Sequence, residues 1–373
     1  MIIEGVSFSG IAVALLCILL LFSKKRKRHD DHYLILWLLV CITNLSYYTF
    51  PNLLPVSLQS LGFTLPVLSV SMLYLYVISM TFNIQFRFTY ILKHALFFIV
   101  YNLVFIMVSI LYEKIIFTDS IPYFSIQKHS LLLNILTFPM AIVPILYIVL
   151  CFIALKRYQR LLPDYYSALE KINLKWLQYI ILSLVFLFFT VIGIISFGTR
   201  LNTIPIHYIF KIVGALQAVY IFCIVFFSLR QSIIFNQNIS VSNENKEKTF
   251  LPDDKLSSLS QKLLNYMVDE KPYLNEELNL SNLSTSLGLS TNQLSQIINQ
   301  TLNTNFYKFV NSYRVEEVKG KLKDSEYDRY SILGIAYDCG FNSKSTFNKI
   351  FKEETGMTPS EYKRSYQKLS PNL

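Results

Sequence analysis

Two different rhythms of apolar and polar residues divide the chain. Up to about Arg230 the pattern is one of long apolar runs separated by short polar connections. The runs are Val6–Phe22, Tyr33–Phe50, Leu61–Asn83, Tyr90–Tyr112, Leu131–Leu155, Leu174–Gly198 and Pro205–Leu229. Each is about 17–25 residues long, and a helix rising about 1.5 Å per residue then covers a hydrocarbon core of ~30 Å. Only a helix satisfies its own backbone groups in lipid over such lengths, so the pattern predicts a seven-transmembrane helix bundle over 1–230. The first two runs are the shortest, which makes six the nearest alternative count.

Beyond Arg230 the rhythm changes. Residues 231–255 are polar, with Ser-Asn-Glu-Asn-Lys-Glu-Lys at 242–248, and read as a linker. Leu256, Leu259, Leu263, Leu264 and Met267 then form one helical stripe that stops before Pro272, predicting a connecting helix over 256–271. Phe306, Phe309, Val310, Tyr313, Val318 and Leu322 predict a long amphipathic helix ending by Asp324.

Two similar segments flank that long helix. Leu283-Ser-Thr-Ser-Leu-Gly-Leu-Ser290 and Ile335-Ala-Tyr-Asp-Cys-Gly-Phe-Asn342 each carry a small second residue and a glycine sixth, 52 positions apart. Each predicts a helix–turn–helix. Ser284 and Ala336 permit close helix packing, while Gly288 and Gly340 can take the left-handed conformation that ends a helix. Ser290 with Gln293 makes a capping box for the next helix, and Asn342 or Ser343 caps its counterpart. Leu294, Ile297 and Ile298 anchor one second helix, and Phe347, Ile350 and Phe351 the other. Thr358, Pro359 and Glu361 announce a last helix with cap, first-turn proline and capping box.

Composition and charge narrow the class. Hydrophobic residues make up 53% of the chain and charged ones 16%, against about 25% charged in an average globular protein. That apolar mass excludes a disordered or fibrous chain. The net charge of +10 suggests nucleic acid or a membrane. Its distribution decides: residues 1–235 hold 17 Lys/Arg and 7 Asp/Glu, whereas 236–373 hold 17 of each. The excess therefore lies wholly in the apolar stretch.

There it orients the helices. One set of loops carries twelve basic residues, Lys24–Arg28, Arg87, Lys93, Lys156, Arg157, Arg160, Lys171 and Lys175, and the other only Lys114, Lys128 and Arg200. The richer side is expected to be cytoplasmic, with the N-terminus outside and the C-terminal stretch inside. No basic segment precedes the first run, which reads as a retained anchor.

Chemistry within the apolar stretch is sparse. Asn44, Asn102, Asn134, Gln178, Gln217 and Lys211 are polar residues in the expected spans. Interhelical hydrogen bonding, with Lys211 snorkelling outward, is favoured over a ligand site. Pro66, Pro139 and Pro144 are expected kinks. His29-Asp-Asp-His32 is metal-capable but lacks helical ligand spacing, and a solvated interfacial loop is expected there. The five cysteines show neither zinc spacing nor an external pair, and no metal or cofactor is expected. No phosphate-cradling loop, nucleophile elbow or acid/base pair suggests an enzyme.

The outward residues of the two second helices carry different chemistry. Asn292, Gln293, Gln296 and Asn299 lie in one, and Ser343, Lys344, Ser345, Asn348, Lys349 and Lys352 in the other. Asn and Gln pair with adenine edges, while Lys serves guanine or phosphate. Phe341–Lys352 has three lysines and no acid, which suits DNA despite the neutral whole.

Residues from about 272 to 366 resemble the DNA-binding domain of the AraC/XylS family of bacterial transcription regulators. The resemblance rests on Ile335-Ala336, Gly340-Phe341, Ser345-Thr346-Phe347, Phe351-Lys352 and Gly356-Met-Thr-Pro-Ser-Glu-Tyr362. Leu283, Leu287-Gly-Leu-Ser290, Leu294-Ser295 and Tyr313-Arg-Val-Glu-Glu-Val318 support it. Ser284 and Val318 depart from the alanines usual in the family, and Ile297-Ile298-Asn299 stands where Phe-Lys is common. The resemblance implies a seven-helix, two-unit domain over 272–370 that binds DNA and regulates transcription.

The expected whole is an all-α protein: a seven-helix membrane bundle followed by a cytoplasmic helical domain with two helix–turn–helix units. It would sit in the bacterial inner membrane as a sensor or anchor. Expected partners are double-stranded promoter DNA, the lipid bilayer, RNA polymerase, a second copy in a homodimer and an unidentified signal or ligand. The long helix would offer the two units to successive major-groove turns about 34 Å apart. The alternative reading is a transporter or membrane enzyme with a regulatory tail, and a third is proteolytic release of the tail.

Overall fold

A computed structural model describes residues 2–25, 27–50, 59–111, 115–118, 121–124, 130–201, 206–235 and 252–369. Most of the expected linker (236–251), Lys114, Lys128 and the side chains of Asn134 and Arg200 lie outside the described residues. Two compact units emerge. The first comprises 1–158 and 174–242, the second 159–173 and 243–373.

The first unit is built from α1 (Ile2–Phe22), α2 (His29–Thr49), α3 (Gln59–Phe82), α4 (Phe88–Leu111), most of α5 (Ser130–Tyr165), α6 (Lys175–Leu201) and α7 (Ile206–Phe235). Between α4 and α5 a small antiparallel hairpin pairs β1 (Ile115–Thr118) with β2 (Ile121–Phe124), Ile115 opposite Phe124 and Thr118 opposite Ile121. The helical class thus holds except for this hairpin, whose alternating Ile, Phe and Tyr residues have strand propensity.

Five of these helices are long and apolar enough to cross a membrane among the described residues. They run over Gly5–Phe22, Ser60–Phe82, Phe88–Val108, Phe138–Tyr165 and Lys211–Gln231. The expected count of seven is corrected accordingly. The described apolar part of α6, Lys175–Thr190, is short of the length required. Helix α2 fails on composition: it opens on His29-Asp-Asp-His32 and carries Thr43, Asn44 and Ser46. It packs against α1, α3 and α7, and its buried residues include Asp30, Asp31 and Asn44. A helix ringed by others need not present an apolar surface all round. By contrast, α4 exposes Leu103, Met107 and Ile110, and α6 exposes Phe186.

His29–His32 is not the expected solvated loop. It forms the first turn of α2, where acidic residues meet the positive end of the helix dipole. Lys24 pairs with Asp31 at 2.7 Å and Arg28 with Asp30 at 2.9 Å. The Arg28 backbone N–H also donates to Asp31 at 2.9 Å. Of the predicted interhelical contacts, those of Asn44, Gln217 and Asn102 are present: Asn44 donates to Gln217 at 3.1 Å, and Asn102 to Thr64 at 2.8 Å.

The second unit contains α8 (Asp253–Asp269), α9 (Leu280–Leu287), α10 (Thr291–Gln296), α11 (Phe306–Lys323), α12 (Ile332–Asp338), α13 (Lys344–Thr355) and α14 (Pro359–Leu369). A π-helical turn, Ile297–Thr301, extends α10. Two apolar cores share one helix. Leu256, Leu263 and Met267 of α8 pack with Leu280, Leu283, Leu287, Leu294 and the start of α11, Phe306, Phe309 and Val310. Val315, Val318 and Leu322, from the rest of α11, pack with Ile335, Ala336, Phe341, Phe347, Ile350 and Phe351. Helix α11 therefore joins two helix pairs by belonging to the core of each.

Candidate nucleic-acid interface

The two helix pairs are α9–α10 and α12–α13, and their turns form as the repeated pattern predicts. Gly288 ends α9 at φ +70°, and Gly340 follows α12 at φ +88°, both in the left-handed region. Ser290 accepts from the Gln293 N–H at 3.2 Å, while the Gln293 side chain accepts from the Ser290 N–H at 3.0 Å. Of the two proposed caps for α13, Ser343 is the one used, its Oγ accepting from the Thr346 N–H at 3.2 Å.

The predicted reading residues do not fare equally. In the first pair, Asn292 is exposed on α10. Gln293 is half-buried and its side-chain oxygen is committed to the capping box, and Gln296, also half-buried, donates to Gln300 at 3.0 Å. Asn299 lies in the π-turn and donates to Ser295 at 3.2 Å.

In the second pair, Lys344, Ser345, Asn348, Lys349 and Lys352 are all exposed on α13. They lie opposite the buried Phe347, Ile350 and Phe351, so one twelve-residue helix has a wholly apolar and a wholly polar side. Ser343 is half-buried at the cap. Lys349 stands 3.8 Å from Glu353, an exposed pairing that leaves its ammonium accessible.

The next helix begins as expected. Glu361 accepts from the Thr358 N–H and hydroxyl, each at 2.8 Å, and these bonds hold its carboxyl below the ordinary range.

Sequence reasoning missed the support behind this surface. Arg314, on α11, is 1% exposed, and its guanidinium donates to a ring of neutral oxygens. Nε reaches the Tyr273 carbonyl at 2.7 Å, Nη2 the Asn275 carbonyl at 2.8 Å, and Nη1 the Asn311 side chain at 3.1 Å. Nη2 also reaches Ser167 Oγ at 3.2 Å, and Nη1 the Ser167 carbonyl at 3.4 Å. Burial lowers the Arg314 pKa to about 10, well above the neutral range, so the group stays charged.

Ser167 comes from the segment between α5 and α6, which is integral to this unit. Tyr166 forms a β-bridge with Asn279, and the Ser167 hydroxyl donates to the Leu278 carbonyl at 2.6 Å. Three residues on, the Glu170 carboxylate accepts from Ser345 Oγ at 3.0 Å and from the Thr346 hydroxyl.

Comparison with known proteins agrees with this local architecture. Residues 283–365 match the model of a family described as a helix-turn-helix domain. An uncharacterized HTH-type transcriptional regulator of Staphylococcus aureus (strain COL) is 30% identical over 125 residues, 34% of this chain and 15% of that protein. One from strain N315 has the same identity and coverage. An uncharacterized HTH-type transcriptional regulator of Escherichia coli (strain K12) is 35% identical over 78 residues, 21% of this chain and 26% of that protein. The chain thus spans about 15% of the length of the staphylococcal relatives it matches. No solved structure matches. The C-terminal unit carries a helix-turn-helix domain of the AraC type, as the motifs imply.

Proposed function

We propose that this protein is a membrane-embedded, sequence-specific DNA-binding transcription regulator. The observation that carries the reading is α13: Lys344, Asn348, Lys349 and Lys352 stand exposed on a helix pinned by Phe347, Ile350 and Phe351. Such a helix fits a major groove, with ammonium groups for phosphate or guanine and an amide for adenine. The capped α10, with Asn292 exposed, is the second reading element, and Gln293 serves mainly to hold it in shape. The names of all three relatives support regulation of transcription.

Five apolar helices support insertion in the cytoplasmic membrane of a bacterium. The DNA-binding unit, with residues 159–173 that belong to it, faces the cytoplasm, where DNA is, so α6 and α7 cross as a pair. The bundle acts as sensor or anchor. A signal that stabilises one of its states over another changes the DNA affinity of the second unit. Promoter DNA, RNA polymerase, lipid and a second copy of the chain are its proposed partners. Protease added to inside-out vesicles should remove the C-terminal unit, and added to right-side-out vesicles should leave it intact. The opposite pattern would refute the orientation.

DNA binding is tested by selecting duplexes from a random library on the full chain in bilayer discs. Enrichment of a defined sequence is expected. Replacing Lys344 and Lys349 together by alanine should weaken binding to all duplexes. The slope of log affinity against log salt should become shallower by about 0.9 for each phosphate no longer neutralised. Asn348→Ala should instead relax the preference at one base pair, by about 1–3 kcal/mol if its contact is bidentate. An unchanged salt slope in the lysine double variant would remove α13 from the interface.

A further inference from the structure

The reading of α13 as the DNA-contacting helix makes one neighbour of that helix conspicuous. Glu170 places a carboxylate at its first turn, bonded to the hydroxyls of Ser345 and Thr346. Exposed hydroxyls and backbone N–H groups at the start of a helix are suited to an anion, including a DNA phosphate. A carboxylate in that position carries the same sign of charge as the phosphate and repels it.

The segment bearing Glu170 is held in two unequal ways. At Tyr166 and Ser167 it is fixed by the β-bridge to Asn279, by the bond from the Ser167 N–H to the Leu278 carbonyl at 3.4 Å, and by the bonds from Arg314 and Asn311. Ser167, Asn311 and Arg314 are all 1% exposed. Glu170 itself is exposed, and its carboxylate accepts hydrogen bonds from two surface hydroxyls. Past Glu170 the segment is held again, by the buried Ile172 and by the bond from Gln159 Nε2 to the Asn173 carbonyl at 2.9 Å, so the solvent-reachable tip is the turn 168–171, which can detach while the anchors on both sides stay. The segment continues at both ends into α5 and α6, two helices of the membrane unit.

We infer that residues 168–171 are an autoinhibitory latch: Glu170 occupies the start of α13 in competition with a DNA phosphate and must leave before α13 enters the groove. The inference rests on the proposed DNA-binding function. Because the latch is tethered to α5 and α6, a change in those helices reaches the DNA-reading helix without passing through the 236–251 linker. The contact is reversible, since breaking it exchanges protein–protein for protein–water hydrogen bonds at a small net free energy.

The test uses the full chain in bilayer discs and a fluorescent duplex recovered by random-library selection with both the wild-type chain and Glu170→Gln. Glu170→Gln and Glu170→Ala should bind that duplex roughly tenfold more tightly than wild type, the effect of removing one charge-assisted contact. Glu326→Gln makes the same charge change on an exposed turn outside the contact and should gain much less. Adding duplex to the wild-type chain should speed amide exchange over 168–171 while Ser167 and the buried Ile172 keep their protection. Equal gains in Glu170→Gln and Glu326→Gln, or protection of 168–171 unchanged by duplex, would overturn the latch and leave DNA binding standing. Failure of both proteins to enrich any sequence would overturn DNA binding and the latch with it.

Discussion

Replacing Arg314 by alanine is expected to destabilise the C-terminal unit by about 3–5 kcal/mol, because it leaves buried acceptors unsatisfied at about 1–3 kcal/mol each and opens a cavity. The carbonyls of Tyr273, Asn275 and Ser167, the Ser167 hydroxyl and the Asn311 amide oxygen all accept from that guanidinium. Alanine removes every one of these bonds and leaves a cavity beside Phe341, whose ring lies 6.0 Å from the guanidinium carbon. Since whole domains are stable by only about 5–15 kcal/mol, the loss should be visible as partial unfolding. Arg314→Lys keeps the charge but not the fork and should lie between the two. Urea titration of the full chain, read by brief proteolysis of the C-terminal unit, measures the change. A midpoint within error of wild type for Arg314→Ala would mean that the buried network contributes no net stability.

The segments anchored by that residue explain which parts of the fold are legible in the sequence. Local features read well because their partners are a few residues away. The capping boxes at Ser290/Gln293 and Thr358/Glu361, the two left-handed glycines and the apolar side of α13 all form where the pattern puts them. Arg314 was also accessible in principle. It falls four residues after Val310 and four before Val318, inside the buried stripe of α11. A charged residue at a core position requires acceptors. Those acceptors, however, come from Ser167, Tyr273 and Asn275, and no periodicity connects them to α11.

Glu170 was not legible at all. It sits in a short basic connection that the charge count rightly treats as a loop, and its contact with α13 spans more than 170 positions. The helix count failed for a related reason. The α2 run has the length of a membrane span, but whether such a run faces lipid or other helices is a matter of packing. Its acidic first turn, read as solvated, is instead paired with Lys24 and Arg28. Gln293 shows the same ambiguity on a smaller scale. The residue that completes a capping box and the residue that faces a base occupy one position, and the structure gives the side chain to the cap.

Gly288 and Gly340, equivalent in the repeat, should respond very differently to substitution. Both have positive φ, +70° and +88°, so alanine at either incurs the left-handed penalty of about 1–2 kcal/mol. At Gly288 nothing lies within 4 Å of the added carbon, and the cost should stop there. At Gly340 the new Cβ would fall well inside contact with the Tyr273 carbonyl oxygen, 2.9 Å from Arg314 Nε and 3.0 Å from the Leu274 carbonyl oxygen. Relieving that overlap means moving the backbone that Arg314 holds, adding about 1–3 kcal/mol of overpacking. Gly340→Ala should therefore lose about 2–5 kcal/mol and Gly288→Ala about 1–2 kcal/mol, measured by the same urea titration. Asparagine, which tolerates left-handed backbone, should restore most of the stability at 288 and none at 340. Equal losses for the two alanine variants would show that backbone conformation alone selects glycine at 340. The close packing of Tyr273, Arg314 and Gly340 would then have no role in fixing the turn of the second helix pair against the start of the first.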